Sequence, residues 1–438
     1  MLTGPGESGG CLFRGVYLLF IVLVLLPDCR VAHAAEGVWI SAIHVTGLKR
    51  TRLRTVLREL PFTTGDQWKA DSGAEGERRL RNIGLFSTVV ILPPASDGQV
   101  QIRVKERWSL FVLPEGSRSD TGKSSAGVTL TEHNLWGLHH QLRIATREDT
   151  GKNFSSINGT RADGSYLWRR VADGPVSLGF GLGGGRSVYD VYDKGMLTGQ
   201  YKQQGSNWYA NVDWALGEVP GDGWDLGLGF NSNRSTYKLV SGMPSFTLHN
   251  SRRNSMLGSI SYTHVDDHTT WLTGVAFQYS LDVAHHALGS TIDVYRQSAS
   301  IATHVPLSPS STSTLNLRLN AGSAYGQVLQ DGLFDIGFNR GLRGYFPGEL
   351  QGRFYLYTNI EGRFPLPRYS NFQLVAFSDI GQIWNSRRPA YGNAIVAGIG
   401  GGARFTLRWL VNGTFRADAA YGSGSKRWRF YFGTGQTF

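Results

Sequence analysis

Residues with the potential to bind a metal ion or a phosphate occur at a few places in the sequence. Residues 264–268 read HVDDH, and imidazole and carboxylate groups are common ligands of zinc. This segment, like the His139-His140 and His285-His286 pairs, lies in a polar stretch between strand-like segments, and no third cluster of ligands accompanies it. Residues 398–402 read GIGGG, but no helix-forming segment follows to complete a phosphate site. We therefore expect no metal ion and no cofactor, and we expect a strand of small residues at 398–402.

Catalytic side chains are not recognisable in the sequence. Downstream of residue 34, no serine stands in a Gly-x-Ser-x-Gly nucleophile elbow. A pair of carboxylates acting as general acid and base stays open at this level. The chain is accordingly predicted not to be an enzyme.

One arginine lies in a glycine-bearing segment near the C-terminal end. Leu342-Arg343-Gly344-Tyr345 has further glycines at positions 337, 341 and 348, inside a region that otherwise has the pattern of amphipathic strands. Glycine beside a polar residue is ordinary turn chemistry, so the tetrapeptide alone predicts a surface turn. Any further role depends on the elements around it.

Alternation with a period of two dominates the chain after residue 108. Residues 208–216 read WYANVDWAL, and similar patterns occur at 176–183, 224–230 and 315–320. One face of each segment is apolar, and the other is polar or very small and includes Asp213 and Arg318. Because an arginine facing lipid at mid-bilayer costs about 2–4 kcal/mol, the charged face is expected to line an interior.

The N-terminal 34 residues are predicted to be a signal peptide. An apolar run around 17–24 follows Arg14 and precedes Ala-His-Ala at 32–34, which is typical of cleavage near Ala34. A retained membrane anchor is the alternative, but the run is shorter than the ~20 apolar residues of a spanning helix. Both cysteines, Cys11 and Cys29, lie in this segment. The mature chain is therefore expected to have no disulfide and no cysteine metal site.

The alternation fits either a soluble β-sandwich or a transmembrane antiparallel β-barrel. A sandwich turns its polar face outward and buries its Trp and Leu residues in a core. The predicted secretion signal, the lack of thiols and the 12% of aromatic residues favour the barrel, whose aromatics lie at the membrane interfaces. At roughly 20 residues per strand, residues 108–438 give about 16 strands, although 14 or 18 would also fit.

The chain is basic, with a formal net charge of +11. Such a balance is often seen in nucleic-acid-binding proteins. In an exported β-rich chain the expected partners are instead anionic lipid head groups, lipopolysaccharide phosphates or acidic segments of a passing polypeptide. We expect no nucleic-acid partner.

Residues 38–107 have a different periodicity from the rest. A strand at 39–45 is followed by a predicted helix over 50–60 and a second helix over 71–82. Two β-branched runs at 86–92 and 100–104 then form a predicted hairpin. This order predicts a small α+β domain before the barrel.

The order of the segments resembles the BamA/TamA superfamily of outer-membrane assembly and secretion barrels. The α+β segment looks like one POTRA domain of that family, with turn glycines Gly47, Gly65 and Gly84 and a buried Phe86 at the matching joints; an unrelated α+β domain is the alternative. The segments EHNLWG at 132–137, NIEGRFP at 359–365 and FSDIG at 377–381 follow in the family order. The resemblance covers essentially the whole mature chain.

The resemblance implies a site inside the barrel. Leu342, Arg343, Gly344 and Tyr345 would lie on a loop folded into the lumen, where the arginine pairs with acids of neighbouring strands; the matching acids are Asp379 and Glu361. The chain would end in a closing strand marked by Phe430, Phe432 and Phe438. Glycines at 433 and 435 are consistent with a weak pairing between the first and last strands.

The function implied by the resemblance is assistance in the assembly and insertion of other outer-membrane proteins. The POTRA domain, in the periplasm, would receive extended clients as an added strand, and the weak seam of the barrel would template their insertion. The expected partners are unfolded outer-membrane or secreted polypeptides, lipids and lipopolysaccharide, with periplasmic or lipoprotein subunits also allowed. A two-partner-secretion-type transporter that exports a polypeptide through its lumen and a passive pore stay open as alternatives.

Overall fold

The computed structural model describes residues 37–434, apart from 119–122, 152–158, 194–195, 245–246, 310, 330–331, 338–340, 346–347 and 386–394. The predicted signal peptide and Phe438 lie outside the described residues. Within the described part of the chain, no helix is long and apolar enough to cross a membrane.

A small α+β domain comes first. It consists of β1 (Ala42–Thr46), α1 (Leu53–Leu57), α2 (Ser72–Asn82), β2 (Phe86–Leu92) and β3 (Gln99–Glu106). Its sheet has the order β1-β3-β2, in which β3 is parallel to β1 and antiparallel to β2. Side chains from both helices and all three strands form one core, which includes Val56, Leu80, Val100 and Ile102. The element order is the one that the periodicity predicts.

The first helix is shorter than the predicted 50–60. Before it, the carboxylate of Glu106 accepts backbone N–H bonds from Lys49, Arg50 and Thr51, at 2.9–3.0 Å, and these bonds hold the chain in a loop. Burial raises the pKa of Glu106, but the backbone bonds outweigh this effect and leave the pKa below its ordinary value. The helix therefore begins only at Leu53, after a loop that the helical spacing of leucines could not reveal.

The described residues after this domain form sixteen barrel strands and one short strand pair. They are β4 (Leu110–Arg118), β5 (Lys123–Leu135), β6 (His140–Gly151), β7 (Gly159–Trp168), β8 (Val176–Asp193), β9 (Met196–Ala215), β10 (Gly223–Gly242), β11 (Ser251–Asp267), β12 (Leu272–Ala284), β13 (Val294–Pro306), β14 (Thr314–Gly326), the pair β15 (Phe334–Asp335) and β16 (Gln351–Gly352), β17 (Phe354–Leu366), β18 (Tyr369–Trp384), β19 (Val396–Thr406), β20 (Thr414–Gly422) and β21 (Arg427–Thr434). The 16-stranded sheet follows chain order from β4 to β21, with β15 and β16 paired separately between β14 and β17. The predicted mostly-β fold and the predicted strand number are confirmed.

Alternation along the strands separates the two surfaces of the barrel as expected. In β9 the outward-facing Trp208, Val212 and Trp214 are 45–55% exposed. Their neighbour Asp213 instead accepts a hydrogen bond from Asn211, whose side chain lies on the same inward face. In β14 the inward-facing Asn316 is completely buried. The apolar face is therefore the outer surface, and the polar face lines the lumen.

Four strands are much longer than a membrane requires. β8, β9, β10 and β11 have 18, 20, 20 and 17 residues, whereas a spanning strand needs only about 9–11. Their extra length forms an extension at one end of the barrel, with a small apolar cluster of Val191, Tyr201 and Leu248. Tyr189 of this extension accepts a hydrogen bond from Gln351, at 2.8 Å, and so contacts the segment between β14 and β17.

The α+β domain docks on the opposite end of the barrel, which we call the domain end. On one side, Thr55 of α1 donates to the carbonyl oxygen of Gly137 at 2.8 Å, in the turn after β5. On the other side, Arg78 of α2 pairs with Asp222 and Asp266, at the ends of β10 and β11. Val411, from the turn after β19, is only 3% exposed because it packs into the core of the domain. The domain thus bridges turns on both sides of this end of the barrel.

Candidate functional site

The segment between β14 and β17 runs into the lumen and brings the predicted loop residues to its wall. Leu342, Arg343 and Tyr345 are 0%, 4% and 2% exposed. The surface turn that the tetrapeptide alone predicts is therefore wrong. Their burial agrees instead with the loop inside the lumen that the family resemblance implies.

Two glycines of the barrel wall make room for this loop. Asp379, Gly398 and Gly422 lie directly opposite one another on β18, β19 and β20. A Cβ atom at Gly398 would lie 1.8 Å from the carbonyl oxygen of Arg343, and one at Gly344, which has a φ of +97°, would lie 2.8 Å from Gly422. The backbone of the loop can therefore rest on the wall only because these positions lack side chains. The glycine-rich 398–402 segment is part of β19, as expected for a strand of small residues.

Arg343 is held from three directions. Its Nε and Nη2 atoms donate to the two carboxylate oxygens of Asp379, at 2.7 and 2.8 Å, in a bidentate pair. Its Nη1 atom donates to Glu361 at 2.7 Å, and its backbone N–H donates to Asp379 at 2.9 Å. The guanidinium also lies over the ring of Phe377, 3.5 Å from the centroid. Charge-assisted, bidentate bonds of this kind fix both position and orientation.

Glu361 joins Arg343 to a larger ionic network. It is fully buried and also accepts bonds from Arg363 at 2.8 Å and Arg404 at 3.1 Å. Arg404 in turn donates to Asp418 at 2.6 Å. The hydrogen bonds thus join the guanidinium groups of Arg343, Arg363 and Arg404 to the carboxylates of Glu361, Asp379 and Asp418. This pairing matters because a buried charge without a partner is costly.

The same loop is attached to the last strand. The backbone N–H of Gly344 donates to the phenol oxygen of Tyr431 at 2.7 Å. Arg429, two residues earlier on β21, donates to Glu349 of the loop at 3.1 Å, and both side chains are 7% exposed. The phenol of Tyr345 donates to the carbonyl oxygen of Ala397 at 3.1 Å. The loop therefore ties together the strands from β17 to β21.

The first and last strands form the seam of the barrel. Among the described residues, β4 pairs only with β5 and β21 pairs only with β20. Phe430 and Phe432 of β21 are 71% and 77% exposed and face outward, whereas Tyr431 between them faces the lumen. Phe438, the third predicted residue of the closing strand, lies outside the described residues.

The chain just before β4 pairs with the turn after β19. The backbone N–H of Trp108 donates to the carbonyl oxygen of Trp409 at 2.7 Å, and Val411 donates back to Trp108 at 3.0 Å. Above this contact lies a cavity of about 550 Å³ at the domain end of the lumen. Its lining comes from both sides of the seam and includes Phe111, Thr131, Thr406 and Thr414.

The predicted joints of the α+β domain adopt special backbone conformations. Gly47, Gly65 and Gly84 all have positive φ angles, of +95°, +95° and +76°. A Cβ atom at Gly47 would lie 1.9 Å from the carbonyl oxygen of Val104, so a side chain cannot fit there. Phe86 is 1% exposed in the domain core.

The HVDDH segment is used for docking contacts. Asp266 pairs with Arg78, and the backbone N–H of Asp267 donates to the side-chain oxygen of Asn82 at 3.0 Å. The ring of His268 stacks on Trp271, with 3.8 Å between the ring centroids. Within the described ranges, no group of three or more His, Cys, Asp or Glu residues could hold a metal ion.

Several residues of the network were not identified from the sequence. Asn359, which donates to Asp379 at 2.8 Å, and Arg363 share the face of Glu361 at a spacing of two, so strand alternation could have indicated them. Arg404, Asp418 and Tyr431 come from three other strands, and no local pattern reveals which lumen residues a folded-in loop will contact.

Known proteins match this sequence and this fold. Residues 150–438 match the Omp85 superfamily domain. Over 229 residues, 51% of this chain, the sequence is 25% identical to the outer membrane protein assembly factor BamA of Neorickettsia risticii, and the chain spans only 28% of that relative.

Two solved structures share the fold. One is BamA from Haemophilus ducreyi lacking POTRA domains 1–3, with a TM-score of 0.56 and 17% identity over 91% of this chain and 84% of that one. The other is CdiB from Escherichia coli, with a TM-score of 0.62 and 15% identity over 91% of this chain and 74% of that one.

Proposed function

Since this chain belongs to the Omp85 superfamily, we propose that it is an outer-membrane barrel that assists the insertion of other outer-membrane proteins. The observation that carries the proposal is the seam: among the described residues, neither β4 nor β21 pairs with the other. An unpaired strand edge presents a row of backbone N–H and C=O groups that can pair with an incoming strand.

The α+β domain is proposed to act as a POTRA domain in the periplasm. In its sheet, β2 is an edge strand, and Val90 and Leu92 on it are 39% and 38% exposed. An extended client can add to such an edge through main-chain hydrogen bonds, which tolerate many client sequences. The domain is docked across the domain end of the barrel, so a client held there lies at the same end of the barrel as the cavity.

The seam is proposed to be the place of insertion. A client strand that pairs with β4 would satisfy the free edge and begin a new sheet in the plane of the membrane. The cavity beside the seam contains side chains of β4, β5, β19 and β20, so a strand entering from the domain end would first contact the edge region of the barrel.

The lumen loop is proposed to hold the C-terminal strands in place while the seam is used. β21 has one strand neighbour among the described residues, and the bonds from Tyr431 and Arg429 to the loop supply further attachment. In this account Arg343, Glu361 and Asp379 keep the loop seated, and the loop in turn keeps β21 from fraying. The network supports an active barrel without taking part in a chemical step.

A polypeptide transporter is the second candidate, because the superfamily resemblance covers secretion as well as assembly barrels and because the lumen holds a cavity of about 550 Å³. The two functions differ in the final location of the client polypeptide. An inserted client becomes a protease-resistant barrel in the membrane, whereas an exported client crosses it.

Reconstitution of the full chain in vesicles separates these outcomes. Unfolded client barrels and an unfolded exoprotein are added in turn, and membrane-inserted and enclosed protein are measured by protease protection. Faster folding of unrelated client barrels, compared with empty vesicles, is the expected result. Transfer of the exoprotein across the bilayer without any effect on client barrels would refute insertion and support export.

A further inference from the structure

A cluster of basic side chains lies on the outside of the barrel, above the apolar band. It consists of Arg186, Lys202, Arg234, Lys238 and Arg252 on β8 to β11, which we call the basic patch. On β10 and β11, Arg234 and Arg252 are exposed while their neighbours Ser235 and Arg253 are buried. Alternation therefore places these arginines on the same face as the outward Leu228 and Met256.

The strand register brings like charges directly opposite one another. Arg234 pairs in register with Arg252, and Lys202 pairs in register with Lys238. Like charges at opposed positions of neighbouring strands destabilise a sheet. Two such pairs on one face indicate that an anion from outside the chain offsets the repulsion.

The chain does not supply that anion within the described residues. None of the five basic side chains forms an ion pair with a described carboxylate. Asp190, further out on β8, accepts a hydrogen bond from Gln200 at 3.0 Å, and Asp293, in the segment before β13, is bonded to His286 at 2.6 Å. Both nearby acids thus have other partners.

The height of the patch matches the membrane surface. Trp224 marks the start of β10 at the domain end, and Arg234 follows ten residues later. At about 3.4 Å per residue and a tilt of about 40°, Arg234 lies roughly 25 Å above Trp224, which is the height of the apolar band of an outer-membrane barrel. Lys238 lies about 10 Å higher by the same reckoning. The patch therefore begins where lipid head groups are found.

We propose that the basic patch binds the phosphates of an outer-leaflet glycolipid of the lipopolysaccharide class. Arginine pairs of this kind can hold a phosphate between them through bidentate bonds. The acyl chains would lie on the exposed surface directly below, which includes Leu182, Trp208 and Leu228. A glycolipid of this class carries phosphates above acyl chains, in the same order in which the strands present the basic patch above the apolar surface. The proposal rests on the orientation of the barrel, with the α+β domain in the periplasm, and not on client insertion.

Binding is tested on the full chain in detergent micelles by native mass spectrometry with three lipids: bisphosphorylated lipid A, dephosphorylated lipid A and phosphatidylglycerol. The wild-type protein should bind bisphosphorylated lipid A at least tenfold more tightly than the other two. The double variant Arg234→Ser/Arg252→Ser should lose about 25-fold in affinity for it, since each basic group near a membrane surface contributes about a factor of five.

A matched control removes the same charge elsewhere. Arg103→Ser/Lys105→Ser changes two exposed residues of β3, outside the barrel, and should leave lipid A binding unchanged. Heat-dependent gel migration checks that each variant retains a folded barrel. Arg234→Lys/Arg252→Lys keeps the charge and serves as a milder variant if the serine pair does not fold.

Three results would overturn the proposal. They are equal binding of phosphorylated and dephosphorylated lipid A to the wild-type protein, equal binding of phosphatidylglycerol and lipid A, and unchanged lipid A affinity in a folded Arg234→Ser/Arg252→Ser variant. The first two are independent of any substitution, so the proposal stays testable even if no variant folds.

Discussion

Replacement of Asp379 by alanine should release the lumen loop while the barrel stays folded. Asp379 is completely buried and accepts three bonds from Arg343, at 2.7, 2.8 and 2.9 Å. It also accepts one from Asn359 at 2.8 Å. Its loss leaves three buried guanidinium groups facing only Glu361 and Asp418.

The magnitude follows from this imbalance. Removal of one partner of a buried ion pair costs about 3–5 kcal/mol, because the other charge stays buried and unpaired. Opening of the loop costs less free energy than keeping Arg343 buried and unpaired, since the loop can leave the wall and let lumen water reach Arg343. Most of the cost should therefore appear as loop opening, with an opening equilibrium raised by about two to three orders of magnitude at a factor of ten per 1.4 kcal/mol.

Hydrogen exchange of the loop backbone in the full chain measures this opening directly. In the variant, the amides of Arg343 and Gly344 should exchange about a hundredfold or more faster than in the wild-type protein, while the amides of β8 and β9 should be unchanged. Asp213→Ala is the matched control, because Asp213 is also a lumen carboxylate but is bonded to Asn211 and not to the loop. Wild-type protection of the loop in a folded Asp379→Ala protein would refute the reasoning.

Three further predictions concern the same contacts and the docked domain. Gly398→Ala should displace the loop as strongly as Asp379→Ala, because its added Cβ would lie 1.8 Å from a loop carbonyl oxygen; hydrogen exchange of the loop reports it. Tyr431→Phe removes the acceptor of the buried Gly344 N–H, at a cost of about 1–3 kcal/mol, and should speed exchange in both the loop and β21. The ion pairs within α2 should resist acid: burial raises the pKa of Glu75, but its bonds to Arg78 and Arg79 lower it to about 2. A depressed pKa adds stability that is fully present above the ordinary value of 4.5 and is lost as the pH falls through about 2, so the amides of α2 should stay protected relative to their intrinsic exchange rates at pH 5 and lose that protection only near pH 2.

The two substitutions each have a control in the chain. Gly258→Ala adds a methyl group where no atom lies within 4 Å and should leave the loop protected. Tyr421→Phe changes a tyrosine that is 39% exposed and should leave β21 protected. A loop that stays closed in Gly398→Ala would contradict the close contact of the loop with β19. Unchanged exchange of β21 in Tyr431→Phe would contradict its attachment to the loop. Loss of protection in α2 between pH 5 and 4 would contradict the low pKa of Glu75.

Sequence patterns predicted the parts of this fold that depend on local periodicity. Alternation in segments such as 208–216 gave the outer and inner faces of the barrel, because side chains of a strand point alternately to its two sides. The same rule gave the strand number, since each strand and its connection use a similar length of chain. The limits of the first helix were wrong because Glu106, about fifty residues away, holds the preceding backbone.

The lumen site was only partly predictable for a related reason. The Arg343 loop and its acids Asp379 and Glu361 came from the resemblance to a family and not from spacing. Arg404, Asp418 and Tyr431 join through contacts between distant strands, and these depend on where the loop lies in the folded barrel. The length of β8 to β11 was also missed, because a rule for the minimum span of a strand sets no upper limit.

The central claim, that this barrel inserts other outer-membrane proteins, is tested most directly by depleting the protein in its own organism and quantifying the outer-membrane and secreted proteomes. The account predicts loss of many unrelated barrels from the outer membrane. Loss of one secreted protein with the barrels intact would contradict it and identify a dedicated transporter.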